Sequence, residues 1–138
     1  MQYKSIKWMI MTLVLLVMTG CTTLGGANTE ETVRQRVAER WNALIDGRLE
    51  TAYLYETPEY RDVYSYSDYR KTVYGVGKWR KAEVEALSCT GKNCVVTIVV
   101  YVNIVFARGL GSTETHSSVR EQWIQSSTTG EWYHVSNH

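Results

Sequence analysis

Several features common in membrane-spanning or catalytic chains are missing from this sequence of 138 residues. Its longest apolar run, residues 8–18, is shorter than the roughly 20 residues that a bilayer-spanning helix needs. It has neither a Gly-x-Ser-x-Gly elbow nor a pair of histidines at zinc-binding spacing. Pro58 is the only proline, and no internal repeat or low-complexity block is visible. We therefore expect one compact domain without a metal or cofactor.

The first twenty residues have the layout of an export signal. Lys4 and Lys7 precede the apolar run, no acidic residue accompanies them, and small residues close the run before Cys21. Residues 17–21 resemble the lipobox of bacterial lipoproteins, which implies that Cys21 is lipidated and becomes the first mature residue. A membrane-spanning anchor and a soluble secreted protein are the alternatives. We predict a signal peptide over residues 1–20, a lipidated cysteine and flexible tether over 21–28, and a single domain over 29–138.

The implied lipid gives the protein a location and restricts its partners. Two or more acyl chains anchor a protein stably, so we expect membrane attachment through Cys21. Asp directly after the lipidated cysteine favours inner-membrane retention in Gram-negative cells. Thr22 and Thr23 stand there instead, which implies the outer membrane, facing the periplasm. Without Lys4 and Lys7 the chain has 13 basic and 14 acidic residues, a charge of −1 that argues against a nucleic-acid partner.

Helical signals fill the first part of the domain. Apolar residues recur at helical spacing over residues 33–45, and Gly47 ends the pattern. Asn28 or Thr29 can cap the start of this helix. Shorter helices are predicted over residues 49–55, 58–63 and 67–73.

From residue 79 onward the pattern is typical of strands. Residues 81–89 alternate between apolar and charged, so one face of this strand meets water. Residues 94–107 are nearly all β-branched or aromatic, which predicts a central strand covered on both faces by this chain or by a partner. Residues 117–125 and 131–136 form a closing hairpin. Helices followed by an antiparallel meander of four strands predict an α+β fold.

Cys89 and Cys94 flank four residues between two predicted strands. An exported compartment permits a disulfide, and a tight turn can bring the two Cα atoms into the usual range of about 4.4 to 6.8 Å. Closing so short a loop contributes roughly 2 kcal/mol. We interpret the pair as a structural disulfide. A redox-active pair, half of a metal site and two free thiols are the alternatives.

Five segments, taken in order, resemble the nuclear-transport-factor-two-like superfamily. They are residues 37–47, 51–53, 57–61, 121–124 and 131–133, with the cysteine-flanked hairpin between the third and the fourth. The resemblance covers about residues 29–136. It implies N-terminal helices packed on a curved four-stranded antiparallel sheet, which closes into a cone with an apolar pocket. Many bacterial members of that superfamily are lipoproteins of unknown role.

Enzymes on that fold, such as ketosteroid isomerases, place an acid or base and polar donors inside the cone. Residues 94–107 contain no Asp, Glu or His, and the polar groups able to face the interior are Thr97, Tyr101 and Asn103. This departure argues against catalysis, and we predict no catalytic residue. The histidines are scattered over the last 23 residues, and each is interpreted as solvated or hydrogen-bonded: His116, His134 and His138.

Tyrosines are concentrated in the helical part of the chain. Seven of the ten lie between residues 53 and 74, and tyrosine is enriched at interfaces because it combines a broad contact area with a polar tip. We expect three of them to pack helices onto the sheet: Tyr53, Tyr60 and Tyr69. The other four are candidates for the rim of a pocket or for an interface: Tyr55, Tyr64, Tyr66 and Tyr74.

Two functions fit these features. The first, which we favour, is a non-catalytic envelope lipoprotein that binds another protein, or a second copy of itself through the sheet, within an envelope assembly. The alternative is a pocket that binds a small apolar ligand, or isomerises or dehydrates it, with Tyr101 and Asn103 as polar contacts. A pocket on the order of several hundred cubic ångströms with converging polar groups would favour the alternative. A pocket filled by Trp41, Trp79 and Phe106 would exclude it.

Overall fold

The computed structural model of this chain describes residues 24–109 and 111–136. The predicted signal peptide, Cys21 and His138 lie outside the described residues. The described part begins with the helices α1 Leu24–Ile45, α2 Leu49–Tyr53, α3 Pro58–Val63 and α4 Tyr66–Thr72. The strands β1 Trp79–Thr90, β2 Asn93–Val105, β3 Ser112–Gln125 and β4 Trp132–Val135 follow, with a 3-10 turn Ala107–Gly109 after β2.

The strands form one antiparallel sheet in the order β1-β2-β3-β4. Each strand pairs with its neighbour in sequence, which is the predicted meander. The α+β class is therefore confirmed. The sheet is open, and its predicted closure into a cone is not confirmed.

Helix α1 begins earlier than the sequence pattern predicts. It starts at Leu24, so that residues 24–28 of the predicted flexible tether are helical. Asn28 does not cap the helix, because its carbonyl oxygen accepts a hydrogen bond from Thr32 Oγ1 at 2.8 Å inside it. Once a helix is nucleated, each further residue adds a hydrogen bond, so an apolar stripe does not mark where the helix starts. The stripe itself is buried as predicted, at Val33, Val37, Trp41 and Leu44.

The short helices α3 and α4 begin at side-chain caps. The Thr57 hydroxyl accepts a hydrogen bond from the amide of Tyr60, and Pro58 occupies the first turn of α3. The Ser65 hydroxyl accepts one from the amide of Asp68, so α4 starts at Tyr66, one residue before the predicted start. Helix α2 ends at Tyr53, two residues short of its predicted end.

The helices cover one face of the sheet. In β2 the even-numbered residues are buried against them, because successive side chains of a strand point to opposite faces: Cys94, Val96, Ile98 and Val100. The odd-numbered face meets solvent within this chain, and Val95 is 37% exposed there. Strand β3 starts at Ser112, earlier than predicted, because it pairs with β2 from Ser112 to Ile124.

Cys89 and Cys94 are bonded across the β1–β2 hairpin. Their sulfur atoms lie 2.00 Å apart, and the two residues are direct partners in the strand register. The predicted disulfide is confirmed, and its Cα atoms are 4.0 Å apart, closer than the range expected from the sequence. Within the described ranges, no helix is long and apolar enough to cross a bilayer.

Candidate functional site

A cleft of about 600 Å³ opens between the helices and the end of the sheet. Its volume lies in the range of roughly 300 to 1,000 Å³ that is usual for small-ligand sites. Aromatic and charged side chains share its wall: Arg40, Trp41, Tyr69, Trp79, Glu121 and His134. Trp41 and Trp79 therefore line the space and leave it open. Phe106 is 46% exposed and lies outside the lining.

Arg40 holds two buried carboxylates beneath this wall. Its Nη2 lies 3.0 Å from Oε1 of Glu56, and its Nη1 lies 2.9 Å from Oε1 of Glu121. The side chains of Glu56 and Glu121 are 0% and 5% exposed. Burial lowers the pKa of Arg40, but the charges of Glu121 and Glu56 outweigh it and the net pKa is raised. The guanidinium therefore remains a permanent cation between two acids.

Glu121 is also bound by two indole groups. Trp41 Nε1 donates to its Oε1 at 2.9 Å, and Trp123 Nε1 donates to its Oε2 at 3.0 Å. Glu121 and Trp123 lie on the same face of β3, two residues apart. Both carboxylate oxygens are thus occupied by donors that are themselves held in the core, and the orientation of Glu121 is determined by α1 and β3 together.

His134 and Ser136 complete the network on its other side. Nδ1 of His134 lies 2.9 Å from Oε2 and 3.0 Å from Oε1 of Glu56, and Ser136 Oγ donates to Oε2 at 2.8 Å. Burial raises the pKa of Glu56, but the hydrogen bond and charge of His134, the charge of Arg40 and the Ser136 bond together lower it. Glu56 is therefore an ionised carboxylate that holds the Nδ1 edge of the imidazole.

His134 is part of the cleft wall. Glu56, which binds Nδ1, is not part of the cleft wall, whereas His134 and Glu121 are. Nε2 lies 4.0 Å from Oε1 of Glu121, beyond hydrogen-bond distance. Glu56 thus holds the ring of a histidine that lines the cleft.

Tyr69 brings a buried hydroxyl to the same wall. The residue is 2% exposed, and burial raises its pKa to about 12 against the opposing charge of Arg40. Its hydroxyl neighbours the Arg40 guanidinium but makes no hydrogen bond of regular geometry with the described residues. An uncharged phenol without a regular partner at a cleft wall can donate to or accept from a ligand after a small adjustment.

Tyr101 and Asn103, the predicted polar contacts of the pocket, lie on the opposite face of the sheet. The Tyr101 ring contacts Lys81 and His116, with the Lys81 Nζ 5.5 Å from the ring centroid. The backbone N–H of Asn103 donates to the carbonyl oxygen of Lys78, and Asn103 pairs with Glu114 of β3. Both are odd-numbered residues of β2, so strand alternation turns them away from the helices. They do not contribute to this cleft.

The four candidate rim tyrosines are spread over separate places. Tyr55 donates to Glu39 Oε2 at 2.9 Å, while Tyr66 packs on the Tyr53 ring at a centroid distance of 5.9 Å. Tyr64 is 40% exposed beside Tyr60. Tyr74, 82% exposed, reaches the cleft. Of the three predicted packing tyrosines, Tyr60 and Tyr69 are buried and Tyr53 is partly buried.

The charged residues of the site were not predicted from the sequence, although the positions of Arg40 and Glu121 indicate that they are buried. Arg40 follows Val37 by three residues and precedes Leu44 by four, so it lies on the buried stripe of α1. Glu121 lies between Val119 and Trp123 on the inward face of β3, where every second residue points towards the helices. A charge on an apolar face indicates a buried partner. Glu56 had no such signal, because it lies in an irregular turn.

Among the described residues, no set of three or more His, Cys, Asp and Glu side chains is placed to hold a metal ion. The fold and the cleft thus define a small α+β domain whose cleft is lined by aromatic rings over a buried ion network.

Two solved structures share this architecture to a limited degree. A crystal structure of a SEC-C motif containing protein from Psychrobacter arcticus is 15% identical, with a TM-score of 0.54 over 78% of this chain and 60% of that one. A solution structure of a SEC-C motif containing protein from Rhodopseudomonas palustris is 18% identical, with a TM-score of 0.48 over 72% and 71%. Our chain thus spans less than two thirds of the Psychrobacter protein, and the likeness to it at 15% identity shows the fold alone.

The comparisons correct the predicted family. No protein-family model and no curated protein matches this chain. The structural match with the TM-score of 0.54 is to a SEC-C motif containing protein, so the predicted membership of the nuclear-transport-factor-two-like lipoproteins is wrong. The segments behind that prediction are a helix stripe ending at Gly47, a capped turn at Pro58 and two strand ends. Such features recur in any fold that places helices before an antiparallel meander.

Proposed function

We propose that this protein is a lipid-anchored envelope protein whose cleft binds a small, partly apolar ligand without converting it. The observation that carries the proposal is the 600 Å³ cleft, in which polar groups converge beside aromatic rings. Arg40, Glu121 and His134 meet at one side of it, while Trp41 and Trp79 supply apolar surface. A ligand with an apolar body and one polar end fits both parts of the wall.

The anchor in this proposal is the lipid on Cys21. It is supported by the signal-like residues 1–20 and by the small residues before the cysteine. Only Thr22 and Thr23 stand between Cys21 and the start of α1 at Leu24, so the domain would be held close to its membrane by a helix. We place that membrane as the outer one, facing the periplasm.

A protein partner, or a second copy bound through the sheet, stays a prediction. The outward face of β2 offers Val95, Val99 and Tyr101 to such a contact. These residues are interspersed with Thr97 and Asn103, so this face is less apolar than the sequence suggested. The cleft is therefore the better-supported binding site.

The proposal is tested with a ligand probe and a blocking substitution. The full chain is reconstituted in phosphatidylcholine vesicles and titrated calorimetrically with 1-naphthol, and the heat of empty vesicles is subtracted. Thr72→Trp places an indole at the cleft wall, since Thr72 is exposed at the end of α4 and lines the cleft. Thr113→Trp adds the same group to exposed β3, where Thr113 pairs with Ile104 away from the cleft.

Saturable binding of 1-naphthol, weakened at least about tenfold by Thr72→Trp and unchanged by Thr113→Trp, is the expected result. Heat no greater than that of empty vesicles would contradict the proposal. Equal binding by the two variants would also contradict it, because the probe would then bind elsewhere.

A further inference from the structure

We propose that the ligand of this cleft is an extended peptide. It adds a strand beside β3 along Ser112–Ser118, the free edge of the sheet, and inserts a large apolar side chain into the cleft. The juxtaposition behind this inference is an unpaired strand edge that ends at the cleft wall. The inference rests on the proposed ligand-binding function and deepens it, because it names the chemical class of the ligand.

The free edge is the side of β3 that faces away from β2. β4 pairs with β3 only from Gln122 to Gln125, and no described residue pairs with Ser112–Ser118 on that side. All seven residues of this stretch are exposed. Proteins protect strand edges with bulges, prolines and lysines, and this stretch contains none of them. It is therefore a regular edge that can accept another strand.

The backbone groups that this edge offers follow from the pairing of β2 and β3. The amide of Gln125 donates to the carbonyl of Lys92 at 2.9 Å, and the amide of Phe106 donates to the carbonyl of Gly111 at 3.0 Å. Hydrogen-bonded residues alternate along an antiparallel strand, and the register between these points has no shift. Odd-numbered residues of β3 therefore turn their N–H and C=O groups towards β2. The even-numbered residues of the free edge turn theirs outward: Ser112, Glu114, His116 and Ser118.

The cleft begins where the free edge ends. Its wall includes Val119 and Glu121, whose side chains belong to the face of the sheet that the helices cover. Side chains of an added strand alternate between the two faces, so a residue opposite Val119 points to the cleft side, where Trp41 and Trp79 supply apolar surface. Backbone bonds to a strand edge, with a pocket for an alternate side chain, are a general mode of peptide recognition.

Two charges on the outer face of β3 determine which peptide side chains fit there. Glu114 and Arg120 lie opposite uncharged residues of β2, Asn103 and Thr97. An opposite charge placed directly across from each of them is favourable in an antiparallel pair. The edge therefore favours a peptide with a basic residue opposite Glu114 and an acidic residue opposite Arg120.

A second copy of the chain fits this edge less well than a peptide does. Two β3 strands paired antiparallel bring Glu114 of one copy opposite Arg120 of the other in a single register. That register also brings Ser112 opposite Gln122, which is already paired with Val135 of β4. Registers that avoid β4 move the second copy away from the cleft. A peptide that ends opposite Arg120 meets neither obstacle.

The probe is the blocked octapeptide Glu-Phe-Thr-Thr-Thr-Thr-Lys-Thr, paired antiparallel with residues 113–120. Its Glu lies opposite Arg120, its Phe opposite Val119 and its Lys opposite Glu114. The peptide is titrated calorimetrically into the vesicle-reconstituted full chain, and the heat of empty vesicles is subtracted. Saturable binding is expected, weakened at least about tenfold when Ser replaces the Phe that enters the cleft.

Two N-methylated forms of the peptide test the added strand itself. The third peptide residue, opposite Ser118, turns its N–H towards β3, whereas the fourth, opposite Ser117, turns its N–H to solvent. N-methylation of the third residue should weaken binding at least about tenfold, and N-methylation of the fourth should leave it unchanged. Equal effects of the two would overturn the inference, because the peptide backbone would then not pair with the edge.

Ser118→Pro removes the matching donor from the protein. The N–H of Ser118 points outward, so its loss breaks no hydrogen bond between β2 and β3. The proline variant should bind the peptide at least about tenfold more weakly than the wild type, and Ser118→Ala, which keeps the N–H, should bind it equally. If Ser118→Pro does not fold, the N-methylated peptides give the same answer on the unchanged protein.

Absence of peptide binding would overturn the inference. If 1-naphthol still binds and is blocked by Thr72→Trp, the proposed ligand-binding function stands while the peptide inference fails. A concentration-dependent dimer that Ser118→Pro abolishes, without peptide binding, would assign the edge to a second copy and overturn the inference as well. Absence of both peptide and 1-naphthol binding removes the proposed function with it.

Discussion

Replacing Arg40 by Met should cost this domain a large part of its stability. The substitution keeps the length and the apolar stem of the side chain and removes the guanidinium. Glu56 and Glu121 then remain in the core, 0% and 5% exposed, without their shared cation. Because ionised carboxylates are poorly solvated there, the free energy of folding rises.

The size of the loss in unfolding free energy depends on which hydrogen-bond donors Glu56 and Glu121 keep. Removing one partner of a buried ion pair costs about 3 to 5 kcal/mol. Glu121 keeps two indole donors, and Glu56 keeps His134 and Ser136, so part of their solvation survives. A loss of about 3 kcal/mol is therefore expected, against a total of about 5 to 15 kcal/mol for a typical domain.

Urea unfolding at pH 7, followed by tryptophan fluorescence, measures this loss. Arg48→Met is the matched control, because Arg48 pairs with Asp46 at the surface, where both side chains are more than half exposed. That variant should lose less than about 0.5 kcal/mol. If Arg40→Met lost no more than Arg48→Met, the network would not be a buried, charged unit and the reasoning would be refuted.

Two further predictions concern acid stability and membrane attachment. The pKa of Glu56 in the folded protein lies below its ordinary value near 4.5. Ionised Glu56 therefore stabilises the fold above pH 4.5, and this stabilisation is lost as the pH falls towards the folded pKa. Below about pH 5, the unfolding free energy of the wild type should therefore fall more steeply with decreasing pH than that of Glu56→Gln. Glu59→Gln, at an exposed position, is the control. Urea midpoints of the wild type and Glu56→Gln that change in parallel with pH would contradict this prediction. Cys21→Ser should release the protein from membranes with its circular dichroism unchanged, because Cys21 precedes the folded domain; fractionation that leaves it in the membrane pellet would show that another segment anchors it.

Local patterns were enough to predict most of the secondary structure. The 3.6-residue spacing of Val33, Val37, Trp41 and Leu44 predicted α1, since a stripe of this kind can be buried on one side of a helix. Period-two alternation and β-branched runs predicted the strands, and the spacing of Cys89 and Cys94 predicted their bond. These features depend on neighbours close in sequence. The start of α1 at Leu24 was missed because helix propagation needs no apolar stripe.

The candidate site was not predictable in the same way. Tyr101 and Asn103 were chosen as pocket contacts because they are polar residues in an apolar strand, but the parity of their positions places them on the outer face. Whether the odd- or the even-numbered residues of a strand face the helices is decided by packing. The family assignment failed for a related reason: helix stripes, caps and turns identify elements, and many folds arrange the same elements.

By itself, the sequence determined the order of elements, the disulfide and the export-like N-terminus, because each depends on residues within a few positions of one another. Only the tertiary structure decided that Arg40, Glu56, Glu121 and His134 form one network. Arg40 and Glu121 are 81 positions apart, and Glu56 and His134 are 78 apart. No local pattern links residues so distant. Their meeting depends on how α1, the turn after α2 and the last two strands close around one core.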